Sequence, residues 1–192
     1  MRELNEGLLT KEDAMRRTQM CGVVVIAVVV AVMMTFSSSA SATPQSGFTS
    51  TTIALGRFGS IDVANSLFPD GFFKSLRNGN FWISLQKTHG DSDLYVQSNV
   101  WAPGGTTGWH THPGHSLITV TAGAVTAYEG DDPACQPHIY TQGMGFVDPG
   151  HDHVHVLRNE GAIEARTVTV QLIPAGAIRR IDVPTGPAAC GF

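Results

Sequence analysis

The feature that most constrains this chain is its punctuation. From Ile53 onward, short runs rich in Val, Ile, Thr and aromatic residues are cut apart by Gly, Pro, Asn and Asp, with little helical periodicity. Runs of that kind read as β-strands, because β-branched and aromatic side chains suit a pleated, half-buried surface. The expected strands are Phe81 to Gln86, Leu94 to Ala102, Ser116 to Ala122, Ala124 to Glu129, His138 to Thr141, His153 to Leu157 and Ile163 to Pro174. Asn78-Gly79, Pro103-Gly104, Gly130-Asp131-Asp132 and Pro149-Gly150 mark turns between them. Many short strands with regular turns predict an all-β sandwich or barrel. Helix is expected only within Ser60 to Leu76, where Pro69 interrupts the sequence. No internal repeat is evident, which predicts one domain.

Alternation within a strand says which side chains share a face. In Ile163 to Pro174, Thr167, Thr169 and Gln171 fall on one side and Val168, Val170 and Leu172 on the other. The simplest expectation places the apolar side in the core and the polar side in water. A polar side lining a ligand cavity is the alternative.

The N-terminal 42 residues have the three parts of a secretory signal. Arg16 and Arg17 precede the apolar run Cys21 to Phe36, and small residues follow, ending in Ala40-Ser41-Ala42. That run is shorter than the roughly 20 apolar residues that span a bilayer, which favours cleavage after Ala42 over a retained anchor. Secretion or delivery to a periplasm is therefore expected, with no membrane attachment afterwards. Residues 43–52 (TPQSGFTSTT) read as a polar, disordered linker, and residues 53–192 as the folded domain.

From Thr43 the chain has 8 Lys and Arg against 12 Asp and Glu, a net charge of −4. A mildly acidic domain lacks the basic footprint that nucleic acid requires, so nucleic acid is not an expected partner. Cys21 leaves with the signal. Cys135 and Cys190 remain, an even pair that an oxidising compartment favours as a disulfide, the alternative being two unrelated thiols.

Seven of the eight histidines lie between residues 110 and 155. His110 and His112 sit one residue apart at the head of a β-run, so both imidazoles would leave the same face. His151, His153 and His155 form a second group, spaced i, i+2, i+4. Neutral imidazole is the commonest protein metal ligand, and three from neighbouring strands would cap one side of a divalent ion. His115 lies in a turn, while His89, His138 and His151 read as surface residues.

This pattern resembles the cupin superfamily, specifically its single-domain type-2-like barrels. The first motif, G(X)5HXH(X)3-4E(X)6G, is met by Gly104, His110, His112 and Gly123, with Ser116 in the glutamate position. The second, G(X)5PXG(X)2H(X)3N, is met by Gly143, Pro149, His155 and Asn159; His151 stands at its second glycine, and one extra residue precedes His155. The resemblance implies an antiparallel double-stranded β-helix, or jelly-roll barrel, with a metal in its mouth. It also implies His110, His112 and His155 as metal ligands, with His153 the rival for the third place, and pairing of barrels into a homodimer. Ser116 is a weak ligand at best, so three neutral imidazoles would leave the ion's charge open to an anionic ligand.

The expected function is thus an exported cupin that binds a divalent transition metal, Fe foremost, with Mn, Zn, Ni or Cu as the others. It would act on a small organic substrate as a metal-dependent dioxygenase, or serve without catalysis as a metal- or small-ligand-binding protein. No residue stands out as a general base, with His115 and His153 the candidates. Neither a nucleophile elbow nor a paired-carboxylate signature occurs.

Overall fold

The computed structural model describes residues 43–192. The expected signal segment lies outside them. Twelve strands are present among the described residues: β1 (Ser46–Phe58), β2 (Asp62–Leu67), β3 (Trp82–Lys87), β4 (Ser92–Thr106), β5 (His110–Thr111), β6 (Ser116–Ala122), β7 (Ala124–Glu129), β8 (His138–Thr141), β9 (Gly145–Asp148), β10 (His155–Arg158), β11 (Ala165–Pro174) and β12 (Ile181–Asp182). One short helix, α1 (Phe72–Asn78), and a 3₁₀ turn at Ala188–Cys190 complete the list. No helix among these residues is long and apolar enough to cross a membrane.

The strands close into a nearly complete antiparallel barrel, the jelly-roll arrangement of a double-stranded β-helix. One wall runs β1-β4-β11-β6-β9 and the other β12-β5-β10-β7-β8, with β10 also touching the end of β4 at Arg158 and Thr106. Long β4 makes this closure work, because it pairs with β1 along one edge and β11 along the other. Closure of this kind removes most of the unpaired edges that an open sheet would expose. Two apolar clusters make up the core. Trp101, Val125, Ala127, Leu157 and Ala165 form the first, and Trp109, Tyr128 and Val156 form the second.

Three expectations are corrected. Residues 46–52 are not a disordered linker: they form the first half of β1, where backbone pairing with 97–106 of β4 supplies the order that their polar side chains cannot. Residues 62–67 are not helical; they pair with β3 as a hairpin, and α1 begins only after Pro69. In β11, the polar stripe faces inward: Thr167, Thr169 and Gln171 are buried, whereas Val168, Val170 and Leu172 are half-exposed. The barrel interior is therefore partly polar, which is what a ligand cavity needs.

The β2–β3 hairpin and α1 stand apart from the barrel's own sheet. Much of their apolar surface is uncovered, with Phe73 and Leu85 85% and 75% exposed. At the opposite extreme, Cys135 and Cys190 are joined by a disulfide that ties the 3₁₀ turn near the C-terminus to the loop after β7.

Candidate metal centre

Strand pairing brings the histidines together. His110 of β5 lies directly across from His155 of β10, although 45 positions separate them in sequence. Alternation along the chain then carries His112 to the same side as His110. The ring centroids of His110 lie 4.8 Å from His112 and 4.4 Å from His155, and His112 and His155 are 5.8 Å apart. All three are buried, at 3%, 7% and 3% exposure respectively. One nitrogen from each falls within 4.8 Å of the others, close enough for the three to hold a single ion.

Backbone carbonyls fix two of these rings. Nδ1 of His110 lies 2.8 Å from Gly108 O, and Nδ1 of His112 lies 2.6 Å from Arg179 O. A carbonyl can only accept, so Nδ1 carries the proton in both rings and Nε2 keeps its lone pair. Burial favours the neutral form as well. It holds the pKa of His110 well below its ordinary value, and lowers those of His112 to about 4 and His155 to about 3. Neutral, oriented imidazoles are the form that binds a metal without first losing a proton.

His153 does not join this group. Its Nε2 lies 2.8 Å from Glu129 Oε2, and its partly exposed ring is outside the cavity that His110, His112 and His155 line. Its place is beside Asp148, with which it and His155 form a second potential donor set. His115 is half-exposed and also outside the cavity lining, whereas His89, His138 and His151 are exposed. His151 has φ of +59°, the left-handed backbone that explains why the motif prefers glycine there. The other departure from the motif, the extra residue before His155, leaves the H(X)3N spacing intact. Asn159 is a structural anchor: its Nδ2 donates to the carbonyls of Trp101 and Ile163, and its Oδ1 accepts from Gly161 N.

Asp148 is the residue that the sequence reading missed. It sits on β9 directly opposite Ser116 and is 3% exposed. Ser116 Oγ donates to Asp148 Oδ2 at 3.3 Å, and Gly150 N donates to Oδ1 at 2.9 Å. The same carboxylate lies 3.8 Å from His112 Nε2 and 3.5 Å from His155 Nδ1. Ser116 thus lacks the motif's negative charge but adjoins one across the strand pair. The available signal was an acidic residue immediately before the motif's Pro149; only strand pairing reveals that it meets Ser116.

The cavity above the histidines is about 220 Å³. Gln97, Asn99, Thr169 and Gln171 line its polar side, Phe48, Trp101 and Ile118 its apolar side. Trp109, by contrast, is fully buried in the second core cluster and serves packing.

Residues 100–171 match the family model described as the cupin domain. The matched stretch is a cupin domain. Solved structures similar to this chain include a cupin superfamily protein from Desulfitobacterium hafniense DCB-2, 18% identical over 42% of this chain and 67% of that one, with a TM-score of 0.37. Another is an uncharacterized conserved protein with a double-stranded β-helix domain from Klebsiella pneumoniae subsp. pneumoniae MGH 78578, at 20% identity, 48% and 76% coverage and a TM-score of 0.41. A third is an oxalate oxidase, 22% identical over 43% of this chain and 46% of that one, with a TM-score of 0.37. No curated protein sequence matches the chain significantly.

Proposed function

We propose that this cupin binds one divalent transition metal through His110, His112 and His155 and holds a small organic molecule against it in the cavity above. The observation that carries the proposal is the convergence of three buried imidazoles, two of them with Nδ1 committed to backbone carbonyls. Imidazole donors suit Fe, Zn, Ni and Cu, with Fe the choice for oxygen chemistry. Iron held there would supply the activation of dioxygen toward an organic substrate that a metal-dependent dioxygenase requires. The chain's own part is to orient the imidazoles, exclude bulk water and shape the cavity, with the Asp148 carboxylate offsetting the charge of the centre from behind Ser116.

A non-catalytic binding protein is the second reading, and one observation favours it. Among the described residues no Asp or Glu lines the cavity, so none of them stands ready there to move a substrate proton. Oxygen uptake by the iron-loaded protein, measured across a panel of small organic substrates, separates the two. Uptake that stays at the rate of the His110→Ala variant with every substrate would remove the dioxygenase reading and leave the binding one.

Export with cleavage after Ala42 belongs to the same proposal. Cleavage there would spare Thr43, whose amide and hydroxyl are held by the carbonyls of Val183 and Pro184. Mass spectrometry of the exported protein is expected to find Thr43 at its N-terminus; a mature form retaining residues 1–42 would contradict it.

A further inference from the structure

Among the described residues, the cavity lining holds two cations and no carboxylate. Arg179 and Arg180 both line it, among amides, hydroxyls, imidazoles and apolar groups. The two guanidinium groups are not equivalent. Arg180 is matched locally, donating from Nε to Asp182 Oδ1 at 2.5 Å and from Nη2 to Thr107 O. Arg179 donates from Nη1 only to a neutral acceptor, Gln97 Oε1, at 2.9 Å. Among the described residues no carboxylate forms an ion pair with it. Burial and the adjacent Arg180 both work against its positive charge, but a guanidinium does not lose its proton in a protein. Its charge therefore faces the cavity without compensation.

Arg179 is also tied to the metal centre, because its backbone carbonyl is the acceptor for His112 Nδ1. The side chain that faces the cavity and the ring expected to hold the ion are positioned by one residue. A planar guanidinium fork matches a carboxylate with two parallel hydrogen bonds, a fit that a lysine cannot give. Size narrows the choice further. With about 30 Å³ per water in the liquid, a cavity of about 220 Å³ suits a ligand of few heavy atoms. We propose that the cavity takes a small organic carboxylate, and that Arg179 is the residue recognising its charge. The metal proposed above would give that ligand its second point of attachment; the Arg179 contact exists without it.

Calorimetric titration of the purified, processed protein tests this, with and without one equivalent of zinc as a redox-inert ion. The probes are straight-chain mono- and dicarboxylates from acetate to glutarate, their primary amides, and inorganic phosphate. At least one carboxylate is expected to saturate a single site while its amide does not bind. Arg179→Gln should weaken that carboxylate by about tenfold or more. Should Arg179→Gln fail to fold, Arg179→Lys, which keeps the charge and loses the fork, is expected to show a smaller loss in the same direction. The inference is overturned if no carboxylate binds, if the amides or phosphate alone bind, or if the Arg179 variants bind as tightly as the native protein. Carboxylate binding without zinc stoichiometry would sustain the inference and remove the metal reading; zinc binding with no carboxylate would do the reverse.

Discussion

Replacing Cys135 and Cys190 together with serine opens a ring whose ends are 55 positions apart. By the chain-entropy relation, a loop of that length stabilises the folded state by about 4 kcal/mol. The contacts around the bridge determine what is released. Both cysteines pack against the cluster of Trp109, Tyr128 and Val156. Beyond Cys190, Phe192 stacks on Trp109 at 6.2 Å and accepts its indole proton on the backbone carbonyl at 3.1 Å, while Arg158 lies 4.0 Å from the Phe192 ring. The bridge thus holds the C-terminal tail over the residue next to His110. Urea unfolding followed by circular dichroism measures the loss. With an m-value of about 2 kcal/mol/M, the midpoint should fall by about 2 M. Tryptophan emission should shift in the native baseline as the tail over Trp109 loosens. A midpoint unchanged within about 0.3 M, with m also unchanged, would refute the reasoning and show that packing alone secures the tail.

Asn159→Ala removes three hydrogen bonds at a residue only 1% exposed, one of them to the carbonyl of buried Trp101; a loss of about 3 kcal/mol in urea unfolding is expected. Asp148→Asn removes the buried carboxylate beside His112 and His155, and metal affinity measured by competition with a chelator should fall about 10- to 100-fold. Acid should destabilise the metal-free protein, because His110, His112 and His155 have folded pKa values below the unfolded one. The unfolded chain then binds more protons, so stability is flat above about pH 6.5 and is lost progressively below it. His112 continues to contribute to this loss down to about pH 4, and His155 down to about pH 3. The slope approaches roughly 1.4 kcal/mol per pH unit for each histidine. Thermal midpoints from pH 8 to 4 check this, and a flat profile across pH 6 would count against three buried neutral imidazoles.

The barrel was legible in the sequence because its central strands combine β-prone residues with clear turns: β6, β7 and β8 have the ends that alternation and Gly123 predict. Gly123 itself has φ of +66°, and a Cβ there would meet Glu164 O at 2.6 Å, so the motif's glycine answers a real steric demand. What stayed hidden depends on pairing between distant segments. The Ser- and Thr-rich start of β1 has no hydrophobic pattern and becomes a strand only because β4 offers it a partner. The inward turn of Thr167, Thr169 and Gln171 was equally open, since alternation names two faces without saying which one is enclosed. Asp148 shows the same limit at the site. Its role arises from lying opposite Ser116, a relation that no local spacing encodes.

Metal content of the purified protein, measured by inductively coupled plasma mass spectrometry alongside His110→Ala and His155→Ala, tests whether the three histidines hold one ion. One equivalent of a divalent transition metal is expected in the native protein, and its loss in both variants, with circular dichroism showing each still folded. A native protein without stoichiometric metal, or folded variants that keep it, would contradict the assignment of His110, His112 and His155 to a single centre.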